Sequence, residues 1–268
     1  MDELNTIIEK YKKIDIENEL KGFETSVKFS ALFYQDVADI FDAFTRIKNT
    51  ERNPDGYNHN DAAILGQLVR IWKILKEVVY YYKNNNGDII SLLDRPIIES
   101  AAIATYLLQS NPSVIEDYRK CSYKSRLKLL ENAKNETLSD FYKSSYGQRL
   151  IISIKKKLES DGFDLNSFEN QKKHGWKVSG KNFKQILDDI GGENLYEGLY
   201  GIASESIHGS WGDSLDYHII GEENGLYRID PFYQQVDMRF VTPVVKICIE
   251  PYTLWLKRIE AYSEQVDS

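Results

Sequence analysis

The segment from Asp61 to about Lys83 is the part of the sequence that most constrains the fold. Its apolar residues recur at helical spacing, cover most of the helix circumference, and include Leu68, Trp72 and Leu75. A surface helix carries a single apolar stripe, so a helix that is apolar nearly all round belongs in a protein interior. We therefore expect a central helix here, surrounded by other helices, with Asp61 as its N-cap.

A second strongly apolar helix is expected from about Asp88 to Gln109, and Pro96 lies within it. Proline is tolerated in the first turn of a helix, whereas in the interior it removes a hydrogen bond and clashes with the preceding turn. Two alternatives follow. Either the helix starts near Ser91 or Asp94, with the proline in its first turn, or a longer helix is kinked at Pro96.

Residues 209–231 interrupt the helical pattern. Two short segments rich in Ile and Tyr flank Gly221–Gly225, and this arrangement predicts a small β-hairpin. The other helices are joined by short loops, which is typical of antiparallel packing in one bundle. We therefore predict an all-α fold, a single helical bundle with a small irregular or β-hairpin insertion near 209–231. The bundle is expected to be one domain over 1–268, in which N-terminal helices (1–60) pack on a helical core (61–264).

The charge balance bears on partners and compartment. The chain carries a formal net charge of -7, which argues against a broad nucleic-acid coat or a binder of anionic membranes but leaves a local basic cleft open. The acidic first residues and the absence of an apolar run of ~18 residues indicate neither a signal peptide nor a membrane span. We expect a cytoplasmic protein that does not bind membranes, with Cys121 and Cys248 as buried free thiols.

A polar stripe precedes the break in the helical pattern. Tyr196, Tyr200, Ser204 and His208 are spaced by four residues, so on a helix they lie on one face. His208 is followed by Gly209, which ends the helix, and a histidine there can titrate near neutral pH at the edge of a cleft. The alternative is that His208 only caps the helix C-terminus and hydrogen-bonds within the core.

Arg95 and Glu99 form a second candidate site. They lie four residues apart on an otherwise apolar helix, and burying either charge costs several kcal/mol unless it is paired. Arginine before glutamate is the weaker order for an ion pair within one helix. Each side chain is therefore a candidate for a partner on another helix, and the alternative is a structural ion pair.

Two further groups of residues are candidate sites. Asp213 and Asp216 lie in the eleven residues from His208 to His218. These are metal-ligand types, but they lack a recognised ligand spacing, so neither a metal site nor a cofactor is predicted. The basic run from Arg119 to Lys128 includes interleaved tyrosines, which suits phosphate binding with base stacking; a solvated helix face is the alternative.

Over roughly residues 65–255 the chain resembles uncharacterised bacterial helical proteins that form a domain-of-unknown-function family near the HEPN superfamily. The resemblance rests on short motifs, which in this sequence are Arg95-x-x-x-Glu99, Tyr118, Trp176 in a Gly-Trp-Lys context, and Tyr200-x-x-x-Ser204-x-x-x-His208-Gly209-Ser210.

The resemblance implies a function. HEPN proteins are helical and often dimeric, and many are metal-independent ribonucleases of toxin and antiphage systems. Their usual signature places an arginine four to six residues before a histidine. Here Ala203 and Ile202 stand before His208, so Arg95 on a neighbouring helix would supply that charge. The implied protein is a HEPN-like homodimer of a defence or toxin-type module that acts on RNA or a nucleotide. The alternative is a non-catalytic interaction or ligand-sensing protein.

A ribonuclease of this kind would use five residues. His208 would be the general base or acid for attack of a ribose 2′-hydroxyl on the adjacent phosphate. Arg95 would stabilise the negative charge on the phosphorane. Tyr200 and Ser204 would orient the histidine or the phosphate, and Glu99 would hold the arginine. If the protein is not an enzyme, the network of arginine, glutamate and histidine is structural.

Overall fold

The structure is a computed structural model that describes residues 2–134, 140–164, 168 and 176–261. In these residues the protein is mostly helical, as predicted. In order, the helices are α1 (Asp2–Lys13), α2 (Ile16–Glu19), α3 (Phe23–Arg46), α4 (His59–Lys83), α5 (Gly87–Gln109), α6 (Pro112–Cys121), α7 (Lys124–Lys134), α8 (Asp140–Lys143), α9 (Ser145–Ser160), α10 (Phe183–Asp189), α11 (Ile202–His208), α12 (Trp211–Tyr217) and α13 (Val241–Arg258). A π-helical segment, Tyr196–Gly201, runs directly into α11, and a short 3-10 helix, Met238–Phe240, precedes α13.

The predicted β-hairpin is confirmed. Strands β1 (Ile219–Gly221) and β2 (Tyr227–Ile229) pair antiparallel and form a two-stranded sheet. Helix α12 was not predicted. It forms because Ser210 caps its N-terminus, accepting a hydrogen bond from the N–H of Asp213 at 3.0 Å. The region after α11 is therefore a short helix followed by a hairpin.

The described residues form two compact units. Unit 1 comprises Met1–Gly56, Ile64–Gln109 and Ile186–Ser268, and unit 2 comprises Tyr57–Ala63 and Ser110–Gln185.

Unit 1 has its core between α3, α4, α5 and α13. Leu68 and Leu75 of α4 are fully buried, which confirms the prediction of a central helix. On α13, the buried Tyr252 donates a hydrogen bond to the carbonyl of Leu68 at 2.6 Å and stacks on Phe41 of α3 at 3.9 Å between ring centroids. These contacts link three helices by burial and by a hydrogen bond that satisfies the buried phenol.

Helix α5 is the longer of the two predicted alternatives, because it begins at Gly87 and contains Pro96 in its interior. Its first turn is tied to the segment before α13. The N–H of Gly87 donates to the carbonyl of Gln234 at 2.8 Å, and the N–H of Gln234 donates to the carboxylate of Asp88 at 2.7 Å. These reciprocal bonds hold the N-terminal end of α5 against the chain that follows the hairpin.

Unit 2 contains the basic run, and two of its cations have acidic partners. Arg119 pairs with Asp161, and its guanidinium lies 4.7 Å from the ring centroid of Phe163. Lys120 pairs with Glu116 at 2.6 Å. These contacts favour the reading of the run as an ordinary polar helix face, since charges paired within the protein are less available to phosphates.

Two further observations concern composition. Cys121 and Cys248 are both buried and neither forms a disulfide with a described residue, as predicted. Within the described ranges, no helix combines the length and the apolar character that crossing a lipid bilayer requires.

Candidate functional site

His208 is presented at the end of α11 by the backbone that follows it. Gly209 adopts a left-handed conformation (φ 58°), which glycine enters without steric cost. The N–H of Ser210 then donates back to the carbonyl of Glu205 at 3.2 Å, as in other helix C-terminal caps. The chain turns away at this point, and His208, as the last helical residue, is solvent exposed.

The helical segment before α11 differs from the regular helix that the stripe predicted. Tyr196–Gly201 forms a π-helical turn, which is wider than an α-helical turn and is found frequently at functional sites. Tyr196 stacks on Tyr200 at 5.3 Å between ring centroids. The stripe is therefore interrupted: Tyr200 is buried at 8% exposure, and His208 reaches the surface.

Four of the five predicted site residues meet around one guanidinium. Arg95 donates through Nε to Oε1 of Glu99 at 2.9 Å, and its Nη1 lies 3.0 Å from Nε2 of His208. The hydroxyl of Tyr200 donates to the same Oε1 of Glu99 at 2.9 Å. The guanidinium carbon lies 4.9 Å from the ring centroid of Tyr200, within cation–π range. We call Arg95, Glu99, Tyr200 and His208 the Arg95 cluster.

Ser204 has a different role from the one predicted for it. Its hydroxyl donates to the carbonyl of Tyr200, one turn earlier in the chain, at 2.6 Å. Serine side chains commonly make this bond inside helices. The structure therefore relates Ser204 to the helix backbone, and the prediction that it orients His208 or a phosphate stays a prediction.

The contact between Arg95 and His208 places one nitrogen of the imidazole against the guanidinium. A guanidinium only donates hydrogen bonds, so Nε2 of His208 must accept one. This basic nitrogen is occupied by Arg95 and becomes available only if the guanidinium turns to another acceptor.

Burial sets the protonation of the phenol in the cluster. Burial and then the charge of Glu99 raise the pKa of Tyr200 to about 12, so the hydroxyl stays protonated and keeps donating to Glu99. The pKa of Arg95 is also raised: its partial burial is the largest single effect and acts to lower the pKa, but the interactions with Glu99 and Tyr200 together outweigh burial. The glutamate therefore serves as the anionic support of both neighbours.

A cleft of about 540 Å³ opens next to His208 in unit 1. Its lining includes Ile207 and Gly209, the two chain neighbours of the histidine, and the aromatic residues Phe232 and Tyr233 that follow the hairpin. These two aromatic residues were not predicted as part of a site, because they lie in a segment without regular secondary structure and follow no periodic pattern.

The carboxyl group of Asp94, next to Arg95 in sequence, is a second feature that was missed. It is 5% exposed, and its Oδ1 has no hydrogen-bond partner among the residues that the structure describes. Burial, and secondarily the charge of Asp237, raise its pKa to about 7. The sequence offers one weak signal, an acidic residue inside an apolar helix.

The histidine and aspartate side chains from His208 to His218 do not converge. His218 lies 3.5 Å from the buried Asp213, whereas His208 belongs to the Arg95 cluster. In the part of the chain that the structure describes, no three His, Cys, Asp or Glu side chains are grouped so that they could hold a metal ion.

Comparison with known proteins leads to one family. No curated protein and no solved structure matches this chain. Residues 61–226 match a family model described as a family of unknown function, DUF5677. The match spans more than half of the chain and includes the whole Arg95 cluster. The chain therefore belongs to the DUF5677 family of unknown function.

Proposed function

We propose that the protein is a HEPN-like, metal-independent endoribonuclease and that the Arg95 cluster is its active site. The observation that carries the proposal is the contact of 3.0 Å between Arg95 Nη1 and the exposed His208. It joins a permanent cation and a titratable base from two different helices. This is the pair of groups that RNA cleavage by an internal nucleophile needs.

The contacts of Arg95 suit a phosphate-binding role. A guanidinium carries five N–H donors, and the hydrogen bonds to Glu99 and His208 use two of them. Glu99 and the ring of Tyr200 orient the group from the protein side. A phosphate that displaces the imidazole would gain two oxygen contacts to the fork and would release Nε2 of His208.

The proposed reaction then follows. The 2′-hydroxyl of a ribose gives its proton to Nε2 of His208, and its oxygen attacks the adjacent phosphorus. The P–O5′ bond breaks, and the departing 5′-oxygen takes a proton from the imidazolium or from water. Arg95 stabilises the charge on the pentavalent phosphorus. The nucleophile belongs to the RNA, so the route needs no metal, and the products are a 2′,3′-cyclic phosphate and a 5′-hydroxyl.

We extend the proposal to the biological setting that the HEPN resemblance implies. The protein would act in the cytoplasm as a homodimer within a bacterial defence or toxin-type module. Light scattering at micromolar concentration tests the dimer, and a monomer of about 31 kDa, the mass of one chain, would contradict it.

A second candidate function is a non-catalytic interaction or ligand-sensing protein. It is favoured by the low exposure of the ion pair, 18% for the side chain of Arg95 and 28% for that of Glu99, together with the bond from Tyr200 to the same glutamate. Groups that are paired with one another in this way can have a purely structural role, in which they fix the register of α5 against the π-helical turn.

The test is cleavage of a mixed pool of single-stranded RNA in the presence of EDTA. We expect the parent protein to cleave and His208→Ala to be slower by about 10²–10⁴-fold, the usual contribution of a general acid or base. His59→Ala is the matched control, because His59 is also exposed and lies outside the Arg95 cluster. Circular dichroism would establish that all three proteins are equally folded.

The outcomes separate the two functions. Equal cleavage by the parent and His208→Ala, or cleavage that EDTA abolishes, would refute the proposed mechanism. If the parent cleaves no RNA while Arg95→Ala lowers the melting temperature, the non-catalytic function is favoured.

A further inference from the structure

We infer that the cleft beside His208 binds a nucleobase of a single-stranded nucleic acid, whose phosphate lies on Arg95. The inference rests on the proposed function and names the part of the substrate that the protein recognises.

The cleft and the Arg95 cluster are built on the same two elements. Leu92 of α5 lines the cleft, and Arg95 lies three residues further on, about 4.5 Å along the helix axis and on the same face. On α11, Ile207 and Gly209 line the cleft on either side of His208.

Two aromatic rings that line the cleft are exposed to solvent in the described structure. Phe232 is 75% exposed and Tyr233 is 70% exposed, although large aromatic side chains stabilise a fold mainly by being buried. Exposed rings on a concave surface are the feature that single-strand binding proteins use. Each base stacks on an aromatic face, and the stacking tolerates different sequences.

The segment that carries these rings is held in place before any ligand binds. The N–H of Asp230 donates to the carbonyl of His218 at 2.9 Å, and the N–H of Phe232 donates to the carboxylate of Asp230 at 3.2 Å. On the other side of the rings, Gln234 is bonded to Asp88 of α5. A stacking surface fixed at both ends loses little conformational entropy on binding.

Charge determines which end of the nucleotide enters the cleft. Asp88, Asp213 and Asp230 line it. The N–H of Gln234 and that of Phe232 already occupy one oxygen of Asp88 and of Asp230, and the buried Asp213 faces His218. The remaining lone pairs of these carboxylates can accept hydrogen bonds from N–H groups, and their charge repels phosphates. The N–H edge of a base therefore suits the cleft, whereas the phosphate suits the guanidinium of Arg95 at its margin. The acidic lining also agrees with the net charge of -7, which disfavours binding along a broad phosphate backbone.

The test measures binding of a short single-stranded RNA with 2′-O-methyl riboses, which cannot be cleaved, by fluorescence anisotropy at fixed salt. We expect Phe232→Ala and Tyr233→Ala each to raise the Kd roughly 5- to 150-fold, the range for loss of one stacked base. Tyr80→Ala is the control, because Tyr80 is 60% exposed and lies outside the cleft. The parent and Phe232→Ala should bind an oligonucleotide of the same length with abasic sites with equally low affinity, because there is no base to stack on the ring.

Four outcomes would overturn the inference. They are no binding of the oligonucleotide by the parent, unchanged affinity in both aromatic variants, equal affinity for the abasic oligonucleotide, or light scattering that shows only the loss of a homodimer in those variants. Base-dependent binding by a parent that does not cleave ordinary RNA would support the cleft and remove the proposed function. Cleavage with unchanged KM in Phe232→Ala and Tyr233→Ala would remove the cleft and leave the proposed function standing.

Discussion

Replacing Asp94 by Asn tests whether a buried carboxyl group sets the pH dependence of stability. Asp94 is 5% exposed, and no described residue forms a hydrogen bond with its Oδ1. Burial, followed by the charge of Asp237, raises its pKa from 3.8 to about 7. Asparagine has nearly the same shape and no charge at any pH, so the substitution removes the titration while it preserves the packing.

The sign of the effect follows from proton linkage. Between pH 4 and 7 the folded protein keeps the proton on Asp94, whereas the unfolded chain releases it. The free energy of unfolding therefore falls as the pH rises through this window, and the loss is complete above the folded pKa. A pKa difference of about three corresponds to ~4 kcal/mol at ~1.4 kcal/mol per unit. Asp94→Asn should escape this loss and exceed the parent by up to that amount at pH 8.

The assay is urea denaturation at pH 5, 6, 7 and 8, followed by the circular dichroism of the helices. We expect the difference in the free energy of unfolding between Asp94→Asn and the parent to be smallest at pH 5, to widen progressively up to about pH 7 and to stay constant towards pH 8. Asp55→Asn is the control, since Asp55 is exposed and its replacement should leave the profile of the parent unchanged. Parallel profiles of the parent and Asp94→Asn would refute the reasoning, because they would show that this carboxyl group does not titrate abnormally.

Three further substitutions test other parts of the fold and the site. Gly209→Ala should lower the free energy of unfolding by about 1–2 kcal/mol in thermal denaturation, because φ of 58° is strained for a residue with a side chain; an unchanged melting temperature would contradict this. Tyr252→Phe should lower it by about 1 kcal/mol in urea denaturation through loss of the bond to the Leu68 carbonyl, and a larger loss would indicate disturbed ring packing. If the proposed function holds, Arg95→Lys should slow RNA cleavage roughly 10- to 100-fold, since an ammonium group cannot reproduce the guanidinium fork. Arg46→Lys, at a side chain 71% exposed, should cleave like the parent.

Much of the secondary structure could be predicted from the sequence, because burial of one face of a helix requires apolar residues at a regular spacing. The apolar circumference of α4 indicated a central helix, and Leu68 and Leu75 are indeed fully buried. The residues around Gly221–Gly225 likewise indicated the hairpin. Helix α12 was missed, because its seven residues are too few to show a period and its stability depends on the cap at Ser210.

The candidate site could likewise be predicted only where it depends on local sequence. The spacing of Arg95 and Glu99, and that of Tyr200 and His208, was visible as local neighbours on two helices. That Arg95 meets His208, 113 residues further along the chain, depends on how α11 packs against α5, and no local pattern encodes that distance. The π-helical turn at Tyr196–Gly201 also had no recognisable signal.

The sequence by itself determined the helical class, the hairpin and the identity of four residues that form the Arg95 cluster. Only the tertiary structure decided that these residues meet, that Asp94 is buried, and that Phe232 and Tyr233 stay exposed beside a cleft. The physical reason is that periodicity reports which face of a helix is buried. Burial of a single carboxyl group or exposure of a single ring depends instead on the particular elements that pack around it.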